Sequence, residues 1–126
     1  MFSHVMVGTN DMQASRDFYD AIFDTLGQKP GVMDEKGRCF YMSKTGIFIL
    51  TLPIDGEPAT HANGGTIGFA ASSPEEIDAW HAAGLANGGT ACEEPPGVRE
   101  GSGLKMYLAY LRDPAGNKIC TMYRMP

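Results

Sequence analysis

Apolar residues recur along the chain in two rhythms, and the same succession of rhythms occurs twice. From Ser3 to Thr9 the period is two, with Val5 and Val7 on one face and His4 and Met6 on the other. That alternation predicts a half-buried strand. Between Met12 and Leu26 the period lengthens. Ala14, Phe18, Ile22 and Leu26 repeat every fourth residue, and Tyr19 and Phe23 widen the stripe. This predicts an amphipathic helix. Asn10 and Asp11 are suited to cap its start, and Gly27 to end it. Three shorter apolar stretches follow, near 31–34, 38–43 and 46–52, with turn-forming residues Asp34 to Gly37 and Lys44 to Gly46 between them. The predicted order is β-α-β-β-β.

Residues 53–65 are rich in Pro, Gly and small polar residues and predict a connector. The pattern then restarts. Thr66 to Ala71 alternates, with Ile67 and Phe69 on one face and Thr66, Gly68 and Ala70 on the other. Ser73-Pro74-Glu75-Glu76 is a capping box with proline at the first helical position. Ile77, Trp80, His81, Gly84 and Leu85 continue at helical spacing, and Gly89 is expected to close the helix. Strands are predicted near 90–93, 104–112 and 118–124.

The two halves superpose at a shift of 62 residues, placing His4 on Thr66, Val7 on Phe69, Phe18 on Trp80 and Gly27 on Gly89. A repeat of this length marks a duplicated supersecondary unit. The chain therefore reads as one domain, 1–126, with module one at about 1–52 and module two at about 66–126. One copy is too small to bury both faces of its strands. Two copies sharing a core give an α+β fold in which two β-α-β-β-β modules form a concave mixed sheet around a pocket, with the helices outside.

Composition narrows the partners. The 126 residues carry a net charge of −5 with no basic cluster, which argues against nucleic acid. No apolar run is long enough to span a bilayer. The start, Met1-Phe2-Ser3-His4, lacks the basic and apolar regions of a secretory signal. The three cysteines, Cys39, Cys92 and Cys120, form no CxxC pair. Reduced thiols and a cytoplasmic location are expected.

Three segments resemble the vicinal oxygen chelate superfamily, the glyoxalase/bleomycin-resistance/dioxygenase group. They are His4 opening the first strand; Asn10-Asp11-Met12 followed by Arg16-Asp17-Phe18-Tyr19; and Asp113-Pro114-Ala115-Gly116-Asn117-Lys118 before the last strand. The last is close to the family's Asp-Pro-Asp-Gly-Asn turn. The resemblance covers nearly the whole chain. It implies paired modules, often in a homodimer, with a small-molecule site on the inner sheet face.

It also implies four places for divalent-metal ligands, usually His and Glu. His4 fits the first. The corresponding place in module two is Thr66. The carboxylate of the last strand is replaced by Cys120, and its counterpart in module one is Ile49 or Leu50. No metal cofactor is expected on this set; any metal would rest on His4 and Cys120, with Thr66 as a weak third. Catalytic zinc takes about three protein ligands.

Strand parity nominates the pocket: His4, Met6, Thr66, Cys120 and Met122, with Tyr110 reaching in from the neighbouring strand. His4 is also the candidate for acid/base catalysis. The stretch Glu93 to Lys105 has no apolar rhythm and is expected to be a lid loop, with Arg99 available to an anionic group. Against these stand plainer readings: Cys120 as an inert thiol, the methionines as core filling and Arg99 as a solvated residue. Two functions follow. One is a metal-free protein binding a small, partly apolar molecule, expected as a homodimer. The other is a lyase, isomerase or dioxygenase-like enzyme using His4. Dimeric monooxygenases and effector-binding domains built on split β-α-β units are disfavoured by the repeat and by the Asp113–Lys118 turn.

Overall fold

The computed structural model describes all residues, 1–126. Module one runs β1 (His4–Gly8), α1 (Met12–Asp24), β2 (Val32–Met33), β3 (Cys39–Met42), β4 (Ile47–Thr51). Module two runs β5 (Ile67–Ala70), α2 (Pro74–Ala86), β6 (Thr90–Ala91), β7 (Gly97–Gly101), β8 (Leu104–Arg112), β9 (Lys118–Arg124). The α+β architecture of paired modules follows the sequence pattern. The strands divide into two sheets, ordered β1-β4-β3-β2 and β5-β9-β8-β6, with β7 paired to β8.

Local chemistry explains both helix starts. The Asp11 carboxylate accepts the Ala14 N–H at 3.0 Å, and the Ser73 hydroxyl accepts the Glu76 N–H at 3.2 Å. The helix stops differ by one position from the gap-free repeat. Gly27 has φ +78°, and the Gln28 N–H reaches back to the Phe23 carbonyl. In module two the left-handed residue is Gly88, at φ +95°, while the Gly89 N–H bonds the Gly84 carbonyl. Gly88, not Gly89, is thus the counterpart of Gly27. Gly89 is small for another reason: a Cβ there would press on the Phe18 ring.

One core joins the modules. Phe18, Tyr19, Ile22 and Phe23 of α1 and Ile77 and Trp80 of α2 pack with Leu50 of β4, Leu111 of β8 and Ile119 of β9. Val5 and Val7 border this core, as their parity requires. The registers carry the parity across the sheets: Val5 pairs with Phe48 and Val7 with Leu50, while Ile67 pairs with Ile119 and Phe69 with Thr121. Every alternate residue therefore points away from the helices.

The expected lid is largely strand. Gly97–Gly101 pairs antiparallel with β8, in register from Gly97↔Leu108 to Gly101↔Leu104. The turn is Ser102-Gly103, both at positive φ, 51° and 77°. A two-residue hairpin loop of this kind matches the twist of its strands. Module two is thus β-α-β-β-β-β, one strand more than its pattern predicted.

Candidate functional site

On each of the two sheets, the face away from the helices carries residues that strand parity nominates. In module one His4 lies opposite Ile47 and Met6 opposite Ile49. In module two Gly68 lies opposite Cys120, which lies opposite Tyr110; Ala70 lies opposite Met122, which lies opposite Leu108. Met6 and Met122 keep 42% and 37% of their surface exposed. Thr66 is exposed and sits one residue before β5.

The register also decides between Ile49 and Leu50. Leu50 is fully buried in the core, whereas Ile49 pairs with Met6 on the opposite face. Ile49 is therefore the module-one counterpart of Cys120, since Met6 corresponds to Gly68, the strand partner of Cys120. The four places in question hold an imidazole, a sec-butyl group, a hydroxyl and a thiol. No three His, Cys, Asp or Glu side chains come together as a potential metal cluster.

Electrostatics around these groups is modest. His4 is exposed, and its Nδ1 lies 2.9 Å from the Ser3 hydroxyl, which leaves Nε2 uncommitted. Burial pushes the Cys120 thiol above its ordinary range, against a smaller opposing pull from Lys118. Burial does the same to Tyr110, helped by Cys120. Lys118 pairs with Glu93 and lies 5.1 Å from the Tyr110 ring centre. A thiol held protonated is a poor nucleophile and a poor ligand.

Arg99 is placed differently from the expectation of a free lid cation. It stands on β7 opposite Met106, and its guanidinium donates to the carbonyls of Glu94 and Pro95 at 3.1 and 2.9 Å. It fastens its own loop.

The Asp113–Lys118 segment is a structural clasp. The Asp113 carboxylate accepts the backbone N–H groups of Ala115 and Asn117, the Asn117 side-chain amide and the Tyr19 hydroxyl. Asn117 also donates to the Gly8 carbonyl at 3.0 Å. One turn of module two thereby holds both the helix and the first strand of module one, which explains why this turn and the Phe-Tyr pair of α1 occur together.

A sequence model of the Glyoxalase/Bleomycin resistance protein/Dioxygenase superfamily matches residues 1–121. The chain belongs to this superfamily. It is similar to a glyoxalase/bleomycin resistance protein from Albidiferax ferrireducens T118, with 64% identity and a TM-score of 0.95 over 98% of this chain and 99% of that one. Its fold is shared by a glyoxalase/bleomycin resistance protein/dioxygenase family enzyme from Burkholderia phytofirmans PsJN, at 19% identity and TM-score 0.70, covering 95% of each chain. The same holds for a lactoylglutathione lyase from Agrobacterium tumefaciens, at 23% identity and TM-score 0.64, covering 97% of this chain and 92% of that one. None of the curated proteins matches the chain. No helix is long and apolar enough to cross a membrane.

One recess was not foreseen from the sequence. It lies between the unpaired edges of β1 and β5, and it is lined by His4, Leu26, Phe48, Ile67 and Phe69 among others. Periodicity assigns most of these side chains to the core. Only the way the two edges meet without hydrogen bonds leaves space between them, and no pattern within one strand records that.

Proposed function

We propose that this superfamily member binds a small, partly apolar organic molecule on the uncovered sheet face, and that it does so without a firmly held metal ion. The observation that carries the reading is the occupancy of the four corresponding positions by His4, Ile49, Thr66 and Cys120. One imidazole and one protonated thiol do not meet the ligand count of a catalytic His/carboxylate site. The same face offers Met6, Met122 and Tyr110 as adaptable and aromatic contacts. His4 supplies a hydrogen bond through its uncommitted nitrogen. A second copy of the chain is expected to wall in this face, because large apolar side chains such as Met6, Met42 and Met122 otherwise remain in water.

A second reading is an enzyme of lyase, isomerase or dioxygenase-like type with His4 as acid or base. The Ser3–His4 contact supports it, since a hydroxyl at Nδ1 orients the ring and leaves Nε2 to work. A thermal-shift screen with divalent metals and a metabolite panel tests the first reading, because a specific ligand raises apparent stability. Stabilisation by an organic compound without metal, lost in Met122→Glu, supports binding. Stabilisation by a divalent metal that His4→Ala abolishes overturns it.

A further inference from the structure

The recess between the modules has a chemistry of its own. It measures about 410 Å³, within the roughly 300–1,000 Å³ typical of small-molecule sites. Its inner wall is aromatic. The Phe23 and Phe69 rings meet edge to face with centres 4.9 Å apart, and Phe48 and Phe69 do so at 5.3 Å. Such rings offer further edges and faces to an added ring. No Asp, Glu, Lys or Arg lines the recess. A carboxylate or phosphate entering it would lose water and meet no permanently charged cation, only the His4 imidazole.

Five lining residues carry polar side chains, and two of them, Ser43 and Thr45, have their hydroxyls 3.3 Å apart, with Ser43 donating to the Gly46 carbonyl. The Tyr41 hydroxyl is already given to Asp20. Gln28 donates its amide to the Met42 carbonyl and keeps its oxygen. His4 keeps Nε2. A ligand with one hydrogen-bonding substituent on an apolar ring matches this supply.

We infer that the seam cleft between β1 and β5 is a binding site for a small uncharged aromatic molecule, its ring among Phe23, Phe48 and Phe69 and its polar substituent at His4. The site adjoins the sheet-face site proposed above. Met6, Cys120 and Met122 do not line it, while His4, Ile47, Gly68 and Ala70 border both.

The test uses full-length protein carrying labelled Ile, Leu and Met methyl groups, titrated with phenol and compared with cyclohexanol and benzoate. Phenol is expected to shift the methyls of Leu26 and Ile67 to saturation, with both comparison compounds several-fold weaker. His4→Ala, an exposed substitution, is expected to weaken phenol by about tenfold, the loss of one hydrogen bond. Equal binding of phenol and cyclohexanol, or no shift at Leu26 and Ile67, overturns the inference. Shifts confined to Met6 and Met122 also overturn it, while leaving the sheet-face reading intact.

Discussion

Tyr19 and Asp113 lie 94 positions apart and share a 2.7 Å hydrogen bond that ties the first helix to the last hairpin. Both side chains are buried, and the carboxylate takes four donors in all. Removing the phenol oxygen in Tyr19→Phe should destabilise the fold by about 1.5–3 kcal/mol, the range for a hydrogen bond to a charged group. Asp113→Asn should cost at least as much, because its new amide would face donors rather than acceptors. Urea unfolding midpoints of the two variants check this. A midpoint unchanged in both would show that the clasp is ornamental.

The same burial has a consequence at alkaline pH. Burial, aided by the Asp113 charge, pushes the Tyr19 phenol well above its ordinary value of 10.0. Burial and the hydrogen bond to Asp20 push Tyr41 up as well. A phenol harder to ionise in the folded state stabilises the fold fully below about pH 10, the unfolded value. That stability is lost as pH rises further, because only the unfolded chain readily releases the proton. Phenolate absorbance should therefore show at least two of the five tyrosines ionising only as circular dichroism is lost. All five titrating in an intact fold would contradict the packing.

Much of this arrangement is legible in the chain. Asp11 and Ser73 announce the helix starts through the N–H groups they accept, the alternation around Val5 turns His4 and Met6 away from the helices, and that around Ile119 does the same for Cys120. Strand β7 was hidden because Val98, Arg99 and Glu100 bury neither face fully, so no alternation marks them. The mismatch at Gly88 and Gly89 reflects two adjacent glycines doing different work, one adopting a left-handed turn and the other admitting the Phe18 ring. The seam cleft depends on how two edges approach, and Phe48 and Phe69 look like ordinary core positions until that approach is known.

Close helix packing gives a further expectation. A Cβ at Gly84 would overlap Leu111 and crowd Phe18 and Ile22. Alanine normally improves a helix interior by about 1 kcal/mol over glycine. Here overpacking of about 1–3 kcal/mol should outweigh that gain. Gly84→Ala is expected to melt lower than the parent in calorimetry. A higher melting temperature would mean the two helices separate at little expense.

The β7–β8 hairpin should behave as an ordered ribbon rather than a lid. Gly103→Val places a branched residue at φ +77° and should weaken the hairpin by about 1–2 kcal/mol. Ser102→Asn should be tolerated, since asparagine adopts positive φ readily. Hydrogen exchange checks both: amides of residues 97–108 should exchange faster in Gly103→Val, with those of β4 unchanged. Rapid exchange of this segment in the parent would restore the lid.

Inward strand positions that carry an aliphatic, a hydroxyl and a thiol group in place of chelators can contact an organic molecule but should retain no ion. Elemental analysis of protein loaded with zinc or nickel and then desalted measures this directly. Well under one ion per chain, with no difference between the parent and His4→Ala, is the expected result. One tightly held ion per chain that disappears in His4→Ala would contradict it.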